Sequence, residues 1–271
     1  MDLTTLIGLI MGFGMMLGAF MLEGGSPMAL LGLSAAMIVF GGTFGALFIS
    51  FSGKQMKSVF TLFRMAFQKK DQDPLGVINQ LVELATIARR EGILALEDKI
   101  ENYTDEFFKN GVRLVVDGVD PDLVRSIMET ELAFIQSRHE SGVAIFEAAG
   151  GYAPTMGIIG TVMGLVHVLS NLSDVAKLGP LIATAFVATL YGVSTANLIW
   201  LPIGNKLKTQ SKSEMLVKEL ILEGVLSIQA GENPNILAQK LKVFLAPADR
   251  ERKVEQKSSE VGGAEAEAAN A

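Results

Sequence analysis

Hydroxyl side chains are the polar groups that recur within the most apolar stretches of this sequence. They are Thr155, Thr161, Thr184, Thr189, Ser194 and Thr195. Hydroxyl oxygens can line a route for a cation, because small cations exchange their water shell for oxygen ligands. A Ser or Thr hydroxyl in a membrane helix more commonly donates to the carbonyl group four residues earlier in its own helix. Hydroxyls that line a cation route would make the chain part of an ion path, whereas hydroxyls that bond to their own helix have only a local structural role.

Ionisable groups are absent from the same apolar stretches. No Asp, Glu, Lys or Arg occurs in residues 3–22, 29–51, 152–172 or 181–201. Proton and cation paths through hydrocarbon generally contain an ionisable side chain at depth. His167 lies in the third stretch, where a neutral histidine packed between helices explains it better than a proton relay. We therefore expect that, if the chain forms an ion path, a partner supplies the carboxylate.

The length of the four stretches predicts that each crosses a membrane. A bilayer core requires about 20 mostly apolar residues in a helix. The chain is 49% hydrophobic and 19% charged, and that charged share is below the roughly 25% of a soluble domain. We predict an all-α integral membrane protein with four transmembrane helices, a helical cytoplasmic domain and extended helices that continue from the membrane. The first stretch has no basic segment before it, so we interpret it as a retained span rather than a signal peptide.

The predicted organisation has five segments. They are transmembrane helices 1 and 2 in residues 1–51, a cytoplasmic helical domain in 52–148, transmembrane helices 3 and 4 in 149–203, C-terminal cytoplasmic helices in 204–248 and a disordered tail in 249–271. Orientation follows from Lys and Arg, which accumulate on the cytoplasmic side. Residues 52–148 contain 12 of them and the segment after residue 201 contains 10, whereas residues 23–28 contain none. We predict a multi-pass membrane protein with both termini in the cytoplasm.

Glycines and prolines mark the apolar segments. Glycines recur four residues apart at 8 and 12, 14 and 18, 41 and 45, and 160 and 164, a spacing that lets membrane helices approach closely. Pro154 is placed at the start of the third predicted span and Pro202 at the end of the fourth. Proline removes a backbone hydrogen bond and can kink a helix. At helix ends, however, proline is common and needs no functional explanation.

The segments outside the predicted spans have helical periodicity and no strand pattern. We expect the second span to continue as an amphipathic helix over 54–68, and separate helices over 75–88, 205–228 and 235–244. Asp120-Pro121-Asp122 combines a capping acid with a proline in the first turn, which predicts a helix start there. We predict that this helix continues into the third span.

Three charged residues flank a predicted helix boundary. Arg89 and Arg90 precede Gly92, and Glu97 follows it. If the segment were helical throughout, Arg89 and Glu97 would lie two turns apart on one broad face, but the glycine favours a helix end. From residue type alone, such charges are most simply a solvated helix face.

Several function classes are disfavoured by composition. The net charge of −6 disfavours nucleic acid as a partner, because phosphate binding needs clustered cations. The chain has no cysteine and two histidines, so neither a metal site nor a cysteine nucleophile is expected. It has no phosphate-binding loop and no nucleophile elbow. We predict that the chain is not an enzyme and has no cofactor.

Four motifs, in this order, make the chain similar to the MotA/PomA family of bacterial flagellar stator proteins, part of the MotA/TolQ/ExbB superfamily. They are the glycine-rich first span ending at Glu23-Gly24-Gly25, residues 89–97, residues 153–167, and residues 231–245 beginning with Gly231-Glu232-Asn233-Pro234. The resemblance extends to about Pro247. It implies a homo-oligomeric ring, a pentamer, around single-span MotB/PomB-type subunits whose membrane aspartate supplies the carboxylate. It also implies that Na+ or H+ flow drives the ring and that its cytoplasmic part pushes on the rotor protein FliG.

The resemblance also assigns roles to residues. By position, Arg89, Arg90 and Glu97 match the family's rotor-facing charges. Pro154 and Pro202 match two prolines tied to ion-coupled conformational change. Thr161 and Thr189 match threonines that line the path of sodium-type members, which favours Na+, and Thr155 belongs to the same group of hydroxyls. Gly151 departs from members that have an Asp there, which weakens an acidic ion-entry role at that position.

Two alternatives stay open at the sequence level. A TolQ/ExbB-like energiser of a cell-envelope process shares the last two spans and the borrowed carboxylate. The closely joined first pair of spans and residues 89–97 favour the flagellar branch. A channel or transporter that acts alone is disfavoured by the absence of charge in the spans and of paired broken-helix signals.

Overall fold

The computed structural model of the chain describes residues 2–68, 73–101, 103–170, 172–173 and 175–245. Within these residues the regular structure is helical and contains no strand, as predicted. The α-helices are α1 Leu3–Leu22, α2 Leu33–Ala36, α3 Gly42–Ser50, α4 Gly53–Ala66, α5 Pro74–Glu91, α6 Glu97–Ile100, α7 Glu106–Val116, α8 Pro121–Leu169, α9 Val175–Thr195, α10 Leu201–Gln229 and α11 Pro234–Lys242. The predicted tail at 249–271 lies outside the described residues.

The chain divides into two compact units. The first unit is Met1–Asp71 with Ile135–Lys212, and the second is Gln72–Phe134 with Ser213–Ala271. In the described residues, four helical segments are long and apolar enough to cross a membrane: Leu3–Leu22, Pro27–Ser50, Pro121–Leu169 and Leu178–Gln229. The prediction of an all-α protein with four transmembrane helices is confirmed. The predicted limits of the five segments remain predictions.

The second span is built from several short helical pieces. A 3₁₀ turn at Pro27–Leu30 precedes α2, and a wide π turn at Met37–Gly41 joins α2 to α3. The expectation that this span continues as a helix over 54–68 was wrong. Phe51 is extended, with φ −124° and ψ 149°, and Ser52 starts a new helix by exchanging hydrogen bonds with Gln55. Such a reciprocal cap satisfies backbone donors that a continuous helix would have satisfied internally.

Helix α8 runs from the predicted start at Pro121 into the third span without a break. The amide of Asp122 donates to the Asp120 carboxylate over 3.0 Å, so the predicted cap is present. The helix ends at Leu169 rather than at residue 172, and α9 begins at Val175 rather than at residue 181.

Pro154 lies inside α8, and Pro202 lies in the first turn of α10, within a helical run that continues from α9 through a π turn, so the expectation that each marks a helix end was wrong. Pro154 is in the interior of α8, where the buried residues Ala149 and Ala153 on the preceding turn keep the helix packed. Pro202 follows a π turn at Ala196–Trp200, and the amide of Leu201 donates to the carbonyl of Ala196, five residues back. We attribute the continuity to this wider turn, which moves carbonyl groups away from the proline ring. The segment expected as a separate helix at 205–228 is therefore part of α10.

Helices α5, α7, α10 and α11 supply the core of the second unit. Leu81, Leu84 and Phe108 are almost completely buried there. Lys218 of α10 is 7% exposed; its ammonium group lies 3.6 Å from the carboxylate of Asp105 and 4.9 Å from the centre of the Phe107 ring. The Asp105 carboxylate also accepts the amides of Phe107 and Phe108. This buried charge thus holds the start of α7 in place.

Candidate ion path and charged surface

Two of the predicted hydroxyl side chains meet between the third and fourth spans. The hydroxyl of Thr161 on α8 is hydrogen-bonded to the hydroxyl of Thr189 on α9. The Thr161 oxygen also lies 3.1 Å from the carbonyl oxygens of Gly157 and Ala185. The Thr189 oxygen lies 3.3 Å from the carbonyl oxygen of Gly157. We call these two hydroxyls and two carbonyls the threonine cluster.

The threonine cluster contains more acceptors than donors. The two hydroxyls provide one hydrogen atom each, whereas the four oxygens together offer more lone pairs than those two hydrogens can satisfy. Each carbonyl oxygen has a second lone pair beyond its bond within the helix. An oxygen-rich site between apolar helices is chemically suited to a small cation or to a water molecule that hydrates one.

Glycines allow the two helices to come close enough for this cluster. A Cβ added to Gly157 would lie 2.9 Å from the carbonyl oxygen of Ala188 and 3.3 Å from the Cα of Gly192. A Cβ added to Gly192 would overlap the carbonyl oxygen of Ala153 and lie 3.1 Å from the Cα of Gly157. Sequence spacing singled out the pair 160 and 164, which does pack against α9, but it missed Gly157 and Gly192.

The remaining hydroxyls bond within their own helices. Thr155 is exposed and donates to the carbonyl of Tyr152 over 2.8 Å. Thr184, Ser194 and Thr195 each donate to the carbonyl four residues earlier. The structure therefore brings together Thr161 and Thr189 and leaves Thr155 outside the threonine cluster.

Pro202 borders a cleft of about 410 Å³ beside the start of the first span. Gly8 and Leu198 line its apolar part, and Lys206 lies at its polar end. The ammonium group of Lys206 is paired with the carboxylate of Asp2. Neither periodicity nor local spacing indicated this pair, because its partners are far apart in the sequence.

Tyr191 is a further polar contact that the sequence did not indicate. Its hydroxyl donates to the carbonyl of Leu30 over 2.6 Å and accepts the amide of Gly32 over 3.2 Å. Both backbone groups belong to the irregular start of the second span, where regular helix hydrogen bonds are missing. The tyrosine thus fixes the second span to the fourth.

Arg89, Arg90 and Glu97 are exposed around a sharp turn in the second unit. The arginines occupy the last turn of α5, and Gly92 ends that helix with φ +92°. Glu97 is the first residue of α6, after a short 3₁₀ turn in which Leu96 is fully buried. None of the three charged residues forms an ion pair with a described residue. The predicted helix boundary at Gly92 is confirmed.

Two family models match the chain. The MotA/TolQ/ExbB proton channel family matches residues 99–219, and the N-terminal model of motility protein A matches residues 6–92. The second match covers the first two spans and the two arginines. It places the N-terminal third of the chain with motility proteins, which favours the flagellar branch over the TolQ/ExbB alternative.

Curated proteins and solved structures agree with the family models. Motility protein A of Bacillus subtilis is 42% identical over 263 residues, covering 97% of each chain. The chemotaxis protein PomA of Vibrio alginolyticus is 38% identical over 94% of this chain and 100% of its own. The flagellar MotAB stator complex from Bacillus subtilis superposes with a TM-score of 0.87, covering 93% of this chain and 100% of that chain at 42% identity. The MotAB structure from C. jejuni superposes with a TM-score of 0.88 at 30% identity, covering 94% and 100%. With four membrane-spanning helices and likeness along almost its whole length, this chain belongs to the motility protein A family.

Proposed function

We propose that this chain is a stator subunit of the bacterial flagellar motor, which converts ion flow into torque together with a single-span MotB/PomB-type subunit. The observation that carries the proposal is the threonine cluster in a bundle whose apolar stretches, 3–22, 29–51, 152–172 and 181–201, contain no Asp, Glu, Lys or Arg. The cluster provides oxygen ligands but no carboxylate. Because an ion at this depth needs a compensating charge, the partner's membrane carboxylate completes the path.

Na+ is the proposed coupling ion. Hydroxyl and carbonyl oxygens are hard ligands that replace the water of a small cation. A proton needs no such set of ligands, because it is relayed through ionisable groups and water. The threonine cluster supports Na+ by supplying four oxygens between Thr161 and Thr189 on facing helices.

Pro154 and Pro202 are the proposed bending points. Pro154 lies in the interior of α8, which carries Thr161, and Pro202 lies in the first turn of α10, which follows α9 and its Thr189 through the π turn. The missing backbone hydrogen bond lowers the cost of bending there. The π turn before Pro202 adds a second weakened position. Bending at these points links the occupancy of the path to movement of α8 and α10.

The exposed charges Arg89, Arg90 and Glu97 form the proposed rotor surface, which acts on FliG. Exposed charges that form no ion pair with a described residue attract or repel a binding partner with little prior rearrangement. The proposed assembly is a homo-oligomeric ring, a pentamer, in the bacterial inner membrane with both termini cytoplasmic. Gly14 and Gly18 of α1 have no neighbour within 4 Å of an added Cβ, which leaves this glycine face available for close helix contacts with other subunits and lipid.

We expect Thr189→Leu to block ion-driven rotation while the chain still inserts and assembles. The larger apolar side chain removes one hydroxyl and fills the space beside Thr161, so a cation loses ligands that it cannot replace in hydrocarbon. Rotation speed at varied sodium concentration and fixed pH measures the effect. At saturating sodium, we expect at least about a tenfold loss, which corresponds to roughly 1.4 kcal/mol.

Two matched variants separate chemistry from volume. Thr189→Ser keeps the hydroxyl and is expected to rotate with a sodium dependence close to that of the unchanged protein. Thr189→Val keeps the shape but not the oxygen, and it is expected to behave like the leucine variant. Full speed in Thr189→Val would remove the threonine cluster from the ion path. A speed that depends on pH and not on sodium would replace Na+ by H+.

A further inference from the structure

The side chain of Lys240 joins three parts of the second unit. Its ammonium nitrogen lies 2.5 Å from a carboxylate oxygen of Glu223, 3.1 Å from the hydroxyl of Ser227 and 3.4 Å from a carboxylate oxygen of Glu232. Lys240 belongs to α11, Glu223 and Ser227 to α10, and Glu232 to the turn between these helices. All three ammonium hydrogens thus have an acceptor. We call this group the Lys240 clasp.

The turn beneath the clasp is sharply defined by its own hydrogen bonds. Gly231 has φ +67°, and the amide of Glu232 donates to the carbonyl of Ser227 over 3.1 Å. This pattern closes the end of α10. Asn233 then caps α11 by accepting the amide of Asn235 over 2.9 Å. The direction in which α11 leaves the turn is therefore set close to the clasp.

Helix α5 packs against both helices that the clasp joins. The fully buried residues Leu237 and Leu241 lie on α11, which packs against α5. On the α10 side, the side chain of Leu81 of α5 occupies the space that a Cβ on Gly224 would need. The clasp therefore ties together the two helices that hold α5, and α5 carries Arg89 and Arg90 in its last turn.

A helix of nine residues depends on such attachments. Isolated helices of this length are not stable in water, so α11 owes its order to packing and to the bonds at its ends. The bond to Glu223 raises the pKa of Lys240 above its ordinary value, with the other carboxylate adding to the effect and burial opposing it. The contacts that form the clasp thus favour the charged form of the lysine.

We propose that Lys240 is a positioning residue for the rotor surface: by holding α11 onto α10 and against α5, it fixes where Arg89, Arg90 and Glu97 stand. This inference rests on the proposed function of those three charges. If the clasp only supported the fold, its loss would weaken the whole second unit. If the clasp positions the rotor surface, its loss makes α11 and the end of α5 less ordered and lowers the torque, while ion flow continues.

The test compares Lys240→Met with Lys242→Met in the full chain assembled with its single-span partner. Methionine keeps much of the apolar stem but removes the charge and the hydrogen bonds. Lys242 lies in the same helix and forms no ion pair with a described residue, and its replacement by methionine removes the same charge. Lys240→Arg retains a cation, so we expect it to keep part of the slow exchange and of the torque that Lys240→Met loses. Amide hydrogen exchange, stall torque and ion flow are measured on each variant.

For Lys240→Met we expect exchange at least about tenfold faster in residues 234–242 and 88–97, with unchanged exchange in α1 and α9. Stall torque falls by about half or more, because a less ordered charged surface transmits less force, and ion flow stays within about twofold. Lys242→Met matches the unchanged protein in all three measurements. This combination supports the proposal.

Three results overturn it. Unchanged exchange at residues 88–97 in Lys240→Met shows that the clasp does not order the rotor surface. Equally faster exchange throughout the second unit shows a general stabilising role instead. Faster exchange at 88–97 with full torque shows that the ordering has no effect on force. Arg89→Glu is measured in parallel: if it keeps full torque, the rotor surface itself is wrong, whatever the exchange measurements show for Lys240.

Discussion

Gly192→Val is expected to abolish rotation and to lower the thermal stability of the detergent-solubilised protein. A Cβ on Gly192 would overlap the carbonyl oxygen of Ala153 and approach the Cα of Gly157 to 3.1 Å. Both are backbone atoms, which cannot turn away as a flexible side chain can. Overpacking of a well-packed site costs about 1–3 kcal/mol, and the two methyl groups of valine place this substitution at the upper end. Helices α8 and α9 would separate, and the threonine cluster would lose its geometry.

Gly151→Val is the matched control for this prediction. Gly151 lies in α8, the other helix of this contact, and the change also introduces a β-branched residue, but an added Cβ there has no neighbour within 4 Å. We expect it to rotate at a speed close to that of the unchanged protein. Gly192→Ala should fall between the two, since it adds only the first carbon. Equal melting temperatures and rotation for the two valine variants would show that the close contact of α8 and α9 is not needed.

Charge reversal on the rotor surface is expected to reduce torque strongly without affecting assembly. In Arg89→Glu and in Glu97→Lys, an exposed charge without an ion-pair partner among the described residues changes sign. Like charges brought together at an interface cost several kcal/mol, so the productive contact with the rotor is lost. We expect at least about a tenfold smaller swarm expansion rate, equivalent to roughly 1.4 kcal/mol. Membrane protein level and co-purification of the single-span partner should stay unchanged, because neither side chain contributes to the core.

Reversals elsewhere on the same unit provide the controls. Arg125 and Glu129 of α8 are about half exposed and form an ion pair at 3.7 Å, worth only a few tenths of a kcal/mol on a helix surface. Arg125→Glu and Glu129→Lys therefore change the net charge equally, away from the turn at Gly92. Motility that falls as much in these controls as in Arg89→Glu would point to a general charge effect. Normal motility in both rotor-surface reversals would remove Arg89 and Glu97 from the torque role.

Local features of the sequence predicted much of the fold correctly. The four apolar stretches are long enough to cross a bilayer, and Asp120-Pro121-Asp122 correctly marked the start of α8. Gly92 correctly marked the end of α5, because only glycine readily adopts its φ of +92°. Each of these signals acts over a few neighbouring residues, which is why composition and spacing were sufficient to find them.

Features that depend on context were missed. Proline was interpreted as a helix end, but Pro154 and Pro202 are tolerated inside helices whose packing and π turn compensate for the lost hydrogen bond. The break at Phe51 was missed because Ser52 and Gln55 act through a reciprocal cap rather than through a helix-breaking residue type.

Long-range contacts at the candidate site were also beyond the sequence. Thr161 and Thr189 were singled out through family resemblance, and nothing in their spacing showed that they touch. Tyr191 contacts Leu30, and Lys240 contacts Glu223, only because the chain folds back on itself. Such pairs leave no periodic signal along one chain. The glycines at 157 and 192 were missed for the same reason, since each is matched to a residue on another helix.

The central claim is that this chain supplies oxygen ligands for the ion, whereas its single-span partner supplies the carboxylate. Sodium flux into proteoliposomes tests it most directly, with the chain reconstituted alone and together with the single-span partner at equal protein amounts. We predict flux only with the partner, and its loss when the partner's membrane carboxylate is replaced by the corresponding amide. Selective sodium flux through the chain alone, or undiminished flux with the amide, would contradict the claim.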